Sequence, residues 1–407
     1  MHAPSLLAFL TLAVAVSAEP VLRIRDSTIT LPIAKRINST TIAKVAQRDK
    51  ARAQFLKQKG SLVHPDVVGS DPATNQAVDY VAAVQIGSPP TTYSLLLNTA
   101  SSNTWVNDVV FTETSSTVQS RDTVHVDYGG GEFMDGTEFN DKFSFSSSLT
   151  IFGQSFGVAT SQEGFDDSDG VLGLGPTPLT IGTLNPDTTQ SIPTVVDSLF
   201  QQGAIPEDLV AISFEPSSTV GAVNGELTFG GTDSSKFTGS IDFAPITKTS
   251  PSNTFWGIDQ QIRYGASTTI LSKTAGIIDL GTTLTLIATD ALARYTAITG
   301  AVPDDNTGLL KISAAQFAKL QSLFFTINGV TFEFTANAQI WPRALNTAIG
   351  GSASDILLIV GDIGGNSGSG LDFINGMTWV ERFYVVLDTT NQRVGVANTP
   401  FTRATTN

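Results

Sequence analysis

From residue 80 onward the apolar residues of this chain come in short runs, separated by turns rich in Gly and Pro. Tyr80–Ile86, Tyr93–Leu97, Val124–Tyr128, Leu209–Phe214, Glu226–Phe229 and Phe332–Phe334 are of strand length and are rich in β-branched and aromatic residues. Runs this short leave little room for long amphipathic helices. Gly and Pro make up 54 of 407 residues and charged residues only 15%, which fits a large β protein. Pro193–Gln202 reads as a short helix that stops at Gly203. A second is Asp290–Thr299, with Thr289 as N-cap and Gly300 as stop, and a third is Ala314–Phe324. The basic stretch Lys35–Gly60 also reads as helical, with weak periodicity from Ile37, Ile42, Val45, Phe55 and Leu56. Few helices among many strands at this length imply a mostly β chain with two lobes.

The amino-terminal part reads differently. Leu6–Val16 is an apolar run too short to span a bilayer, and Val16-Ser17-Ala18 supplies small residues for cleavage. Residues 1–18 are therefore expected to be a signal peptide and the protein to be secreted and extracellular. From Glu19 to Ser70 there are ten Lys/Arg against four Asp/Glu, a net of +6, whereas from Asp71 onward the net is −20. A basic leader at residues 19–70 is expected to dock on an acidic body as its own propeptide and to leave when acid neutralises the carboxylates. Processing is expected within the Pro-, Gly- and Asp-containing stretch Val63–Thr74. The only N-x-[ST] sequon, at Asn38, lies in the leader. An acidic body excludes nucleic acid as a partner. No other run is long enough for a membrane span, so no membrane partner is expected, and the expected state is a monomer.

The residue inventory narrows the chemistry. There are no cysteines, which removes thiol nucleophiles, thiolate zinc sites and iron–sulfur clusters. Outside the signal and leader, His125 is the only histidine, so a multi-histidine zinc site cannot be built; a Ser-His-Asp triad would have to use His125, and no Gly-x-Ser-x-Gly elbow occurs. A lone His in a strand is expected to be a surface or packing residue. No phosphate-cradling loop is present, and Asp166–Gly170 lacks the downstream Glu of a calcium loop. No metal and no cofactor are expected. What remains is carboxylate chemistry, in which two facing carboxyls share one proton and divide the acid and base roles.

Two stretches 181 residues apart have the same shape: "LLLNTASSNTWV" (Leu95–Val106) and "GIIDLGTTLTLI" (Gly276–Ile287). Each is an apolar run, then Asn or Asp, one residue, a small residue, two hydroxyl residues, and apolar residues again. Together they resemble the paired Asp-Thr-Gly motifs of pepsin-like aspartic endopeptidases. Further marks follow in order. "VDYGGGEFMDGTEF" resembles the flap hairpin, with Tyr128 at its tyrosine and Gly129 beside it. "DGVLGLG" resembles the strand beneath the first motif. "GGTDSSKFTGSIDFAPI" resembles the segment closing the first lobe, and "FINGMTWVERFYVVLDTTNQRVGVA" resembles the end of the second. The likeness runs from about Asp71 to the C-terminus and is strongest to cysteine-free basidiomycete acid proteases of the polyporopepsin type.

The resemblance implies a bilobal pepsin-like β fold with a cleft, an N-terminal lobe at 71–243 that carries the flap, and a C-terminal lobe at 244–407. It implies a zymogen that cleaves extended peptides or unfolded proteins in acid. The departures lie in the motifs themselves. The first reads Asn98-Thr99-Ala100 and the second Asp279-Leu280-Gly281. Asp279 keeps the catalytic position, while Asn98 can hold a water but cannot carry a proton. Leu280 cannot interlock with Thr99 as a second threonine would, and Ala100 adds a methyl where Gly had freedom. Thr99 and Gly281 remain as motif support, Ser101 and Thr282 could hydrogen-bond the site, and Trp105 could support Tyr128. Two readings stay open: a weak endopeptidase using Asp279 and a water held by Asn98, or a peptide-binding protein or decoy that keeps the cleft without cutting.

Overall fold

A computed structural model describes residues 29–37, 45–59, 78–146, 148–165, 168–219 and 221–407. The expected signal peptide, the Asn38 sequon, the expected processing stretch and Asp166 and Asp167 of the acidic run lie outside the described residues.

The chain is built mainly of strands. The first described elements are β1 (Ile29–Ile37), α1 (Val45–Lys59), β2 (Val78–Ile86), β3 (Thr91–Asn98), β4 (Trp105–Asn107), β5 (Val118–Gly129), β6 (Glu132–Ser146), β7 (Leu149–Glu163) and β8 (Gly170–Gly173). In β5 the period of two is explicit: Asp122, Val124, Val126 and Tyr128 are buried, while Arg121, Thr123, His125 and Asp127 face out. His125 is exposed and pairs with Asp135 Oδ1 across the β5–β6 hairpin at 2.7 Å.

Three sheets result. The largest has fourteen strands, among them β1 to β8, and it also takes in the late strands Phe383–Asp388 and Arg393–Asn398. Those two close onto Leu209–Phe214 and Thr238–Pro245, so the end of the chain completes a sheet begun near its start. A second sheet of seven strands is formed after residue 257, and a small three-stranded sheet sits beside it.

Within these sheets one local arrangement occurs twice. Strand β3 runs parallel to β8, with Asn98 opposite Gly173, and β8 pairs antiparallel with β4. Strand Thr268–Ile278 runs parallel to Phe373–Asn375, with Ile278 opposite Asn375, and that strand pairs antiparallel with Thr285–Ile287. In each case the motif turn leaves one strand and the following strand returns on the far side of a short central strand. The space beside that strand is tight. A Cβ on Gly173 would come 2.4 Å from the Ser102 backbone, and one on Gly376 would come 2.1 Å from Leu284 O.

Helices are few and short. One is α2 (Val195–Gln201), closed at its start by a Thr194–Asp197 capping box. Next is α3 (Thr289–Thr299), which ends at Gly300 in the left-handed region. Its N-cap is Ala288 rather than Thr289, whose hydroxyl instead donates to Asp362 Oδ1. The helix expected over Ala314–Phe324 is only α4 (Ala314–Phe317), started by a Ser313–Gln316 capping box. Leu323–Ile327 is a strand, because alternate residues Leu323, Phe325 and Ile327 are buried and both edges are paired. Likewise the helix expected over Lys35–Gly60 is confined to α1, and Lys35, Arg36 and Ile37 end β1.

Candidate active site

Strand β3 delivers Asn98 and strand Thr268–Ile278 delivers Asp279 to facing turns. The turns are anchored by the neighbouring central strands. Leu174 N donates to Asn98 O at 2.8 Å and Gly175 N to Ser101 O at 3.0 Å, while Asp279 N donates to Asn375 O at 3.2 Å and Met377 N to Thr282 O at 2.8 Å. Both key side chains are buried.

The two turns are joined beneath these side chains by Thr99. Its hydroxyl accepts from Leu280 N at 2.9 Å and donates to Ile278 O at 3.3 Å. The reciprocal bonds from the second turn are missing, because Leu280 has no hydroxyl; it is packed into the core with Ala100. Thus the contact between the two turns at this level is one-sided, made by the Thr99 hydroxyl.

Asp279 is surrounded by donors. Thr282 Oγ1 donates to Oδ2 at 2.7 Å and Gly281 N to Oδ1 at 2.9 Å. The equivalent turn at Asn98 is poorer: Ala100 N donates to Oδ1 at 3.0 Å. Ser101, which could hydrogen-bond the site from its sequence position, does not reach Asn98. Its buried hydroxyl lacks a well-formed partner and lies toward Tyr128.

A residue that the motifs do not contain sits between the two turns. Arg52 of α1 donates from Nε to Asp279 Oδ2 at 2.9 Å and from Nη2 to Asn98 Oδ1 at 3.0 Å and Asp279 Oδ1 at 3.4 Å. Its guanidinium approaches Gly281 so closely that a Cβ there would lie 2.5 Å from Nη2. Burial alone would raise the Asp279 carboxyl, but the charge and hydrogen bonds of Arg52, with Thr282 and Gly281, outweigh it and hold Asp279 below the usual carboxylate range.

Helix α1 fills the space between these turns and the flap. The hairpin expected to be the flap is β5–β6, whose tip Gly129-Gly130-Gly131 lies entirely at positive φ. Phe55 packs against Gly129 so tightly that no side chain fits there. Tyr128 accepts from Trp105 Nε1 at 2.7 Å, and both rings meet Phe165 edge-on. Burial pushes the Tyr128 hydroxyl up to about 12, so it stays protonated in acid and at neutrality.

Other residues of β1 and α1 also pair with the rest of the chain. Lys35 of β1 pairs with Glu381 at 2.6 Å, fully buried, and Tyr80 OH donates to the same oxygen. Arg48 pairs with Glu132 at 2.9 Å and Lys50 with Asp362 at 2.6 Å. Asp49 accepts from Leu284 N at 2.7 Å. Sequence reasoning expected a docking leader but named none of these residues. The available signal was the spacing of Arg48 and Arg52, one helical turn apart on a single face.

Among the described residues no group of His, Cys, Asp and Glu is placed to hold a metal ion, and no helix is long and apolar enough to cross a membrane.

Comparison with known proteins agrees with this geometry. A model of the eukaryotic aspartyl protease family matches residues 79–399. Polyporopepsin of Irpex lacteus is 63% identical over 340 residues, covering 83% of this chain and 99% of that protein. Rhizopuspepsin of Rhizopus chinensis is 30% identical over 369 residues, covering 85% of this chain and 89% of its own. The crystal structure of the aspartic proteinase from Irpex lacteus superposes with a TM-score of 0.81 at 54% identity, covering 94% of this chain and all of that one. With two repeated motif turns meeting under a flap, and a family model spanning most of its length, this chain belongs to the eukaryotic aspartyl protease family.

Proposed function

We propose that the chain is a secreted, zymogen-like member of this family whose cleft takes extended peptides in acid, and whose hydrolytic turnover is weak or lost. The observation that carries this reading is the pairing of Asn98 with Asp279. The site presents one carboxylate and one amide to whatever lies between them. A shared proton needs two carboxyls, and an amide cannot take the acid or base role at any working pH. Removing one positioned proton carrier costs roughly 10²–10⁴ in rate. The contact beneath the site is also one-sided, because Leu280 has no hydroxyl.

The binding half of the reading rests on what is kept. The flap, its Trp105–Tyr128 support and the hydrogen-bonded Asp279 are all in place. An extended peptide could add its backbone to such a hairpin by strand-type hydrogen bonding. In this reading residues 19–70 are a propeptide, and Arg52 occupies the place where the reacting amide would lie. The lobes are those bounded at 71–243 and 244–407.

The test is incubation of the matured protein, freed of residues 19–70, with an unfolded protein at acid pH, beside Asn98→Asp and Asp279→Asn. Absence of cleavage by the parent, with peptide binding retained, supports the reading. Parent cleavage as fast as that of Asn98→Asp, and abolished in Asp279→Asn, overturns it in favour of a fully working one-carboxylate peptidase.

A further inference from the structure

Trp256 is buried and immediately precedes strand Gly257–Tyr264. Its indole Nε1 donates to Leu174 O at 2.8 Å. Leu174 follows β8, the strand paired beside the first motif, and its own N–H donates to Asn98 O at 2.8 Å. The backbone of Trp256 faces the second motif: its carbonyl accepts from Ile278 N at 3.1 Å, one residue before Asp279. Three hydrogen bonds therefore run from the backbone of Asn98, through Leu174 and Trp256, to the strand that carries Asp279. Leu174, Trp256 and Ile278 are all buried in one core cluster, where a polar group is costly to leave unpaired. Ile278 is also held from its other side, because its carbonyl accepts from Thr99 Oγ1 at 3.3 Å. The place of Trp256 is fixed in turn by Gly257, where a Cβ would come 2.1 Å from Ser252 O. Of the four tryptophans, Trp105 donates to Tyr128, and the buried Nε1 atoms of Trp341 and Trp379 have no hydrogen-bond partner. Trp256 alone uses its indole N–H to join the surroundings of the two motifs.

We propose that Trp256 is a positioning residue, which ties the two motif turns together and so keeps Asn98 and Asp279 opposed. It shares this task with Thr99, since Leu280 has no hydroxyl to return the Thr99 bond. Thr99 reaches the second turn from the first, and Trp256 holds the same strand from the side of Leu174. The role concerns the alignment of two side chains, so it holds whether the cleft cuts peptides or only binds them. Neither tie touches the reacting atoms; each acts through the backbone that carries them. Two ties that meet at Ile278 reinforce each other, so loosening either one loosens the other. Separate packing contacts would instead act alone, and their effects would stay where they were made.

The test reads hydrogen exchange by NMR in the full-length protein at mildly acidic pH. Thr99→Val cuts the first tie without touching residue 256. The Trp256 indole N–H should then lose roughly tenfold more protection than the Trp105 indole N–H, which is bonded to Tyr128 instead. In the converse experiment Trp256→Phe removes the donor. The Leu280 amide should lose roughly tenfold more protection than the amides of strand Phe383–Asp388, and the Arg52 Nε–H on Asp279 should lose protection with it. Trp379→Phe removes an equally large buried indole whose N–H has no partner, and should cause no such selective loss. Equal losses at the two indoles in Thr99→Val overturn the proposal, and this arm decides alone if Trp256→Phe does not fold. A selective loss at Leu280 that Trp379→Phe reproduces also overturns it, because a cavity then suffices. Loss at Leu280 with the Arg52 Nε–H unchanged shows a tie that does not reach the side chains and overturns the positioning role.

Discussion

Thr99 Oγ1 lies 2.9 Å from Leu280 N, reaching across from one motif turn to the backbone of the other. It is a one-way bond, because Leu280 offers nothing in return. Thr99→Val keeps the shape and removes the acceptor, leaving a buried N–H unpaired. The expected cost is about 1–3 kcal/mol, read as a lower denaturant midpoint with an unchanged slope. An unchanged midpoint would show that this bond contributes nothing.

Asn98→Asp restores the second proton carrier. Cleavage of a peptide substrate at acid pH should rise by roughly 10²–10⁴ in kcat/KM over the parent. Because Leu280 and Ala100 are unchanged, the double variant Asn98→Asp/Leu280→Thr should exceed the single one. Equal rates for parent and Asn98→Asp would mean that the missing carboxylate does not limit this site.

Arg52→Met leaves Asp279 buried without its cation. Breaking a buried ion pair from one side costs about 3–5 kcal/mol, and part of this is escaped when Asp279 takes up a proton. The Asp279 carboxyl should therefore titrate well above its parent position, which carboxyl-carbon NMR would follow. Helix α1 should also lose protection from hydrogen exchange.

The docking of α1 should respond to pH in two opposite ways. Asp279 is held below its usual range, so its contribution is complete above the usual value of 3.8 and is lost as pH falls through the lower docked value. Asp49 is pushed up to about 6 by burial, against the pull of Arg48 and of the Leu284 and Thr283 amides. Its contribution is complete below the usual carboxylate value and is lost as pH rises through about 6. Exchange protection of α1 should therefore peak near roughly pH 4–5 and fall on either side. A steady loss from neutrality downward would contradict this.

Tyr128→Phe removes the acceptor for Trp105 Nε1, which is buried beneath the flap. A destabilisation of about 1–3 kcal/mol is expected. Peptide binding should weaken as well, since the hairpin loses its hydrogen bond to the strand after the first motif.

Much of this was legible in the residues. Leu209–Phe214 was readable as a strand, and its full burial comes from packing on both faces, Val210, Ile212 and Phe214 in one cluster and Leu209 and Ala211 in another. Asn98 and Asp279 were readable as counterparts because the same pattern precedes and follows each. The misread segment, Ala314–Phe324, shows the limit. Its first residues carry a good helix start, but Phe324 and Phe325 belong to a run whose alternation is satisfied only by neighbouring strands. Ser101 shows another limit: position after a motif does not set the direction of a hydroxyl.

Local sequence by itself determined the strand-and-turn character of the body, the basic charge of the amino-terminal segment, and an amide rather than a carboxylate at residue 98. Those follow from side-chain period, charge and chemical type, which are properties of short stretches. Only the tertiary structure decided that Arg52 spans Asn98 and Asp279, that Thr99 bonds the backbone of the second turn, and that Glu132 faces Arg48. These contacts join residues 46 to 227 positions apart in the chain. Their geometry depends on how the sheets close around the cleft, and no local pattern encodes that.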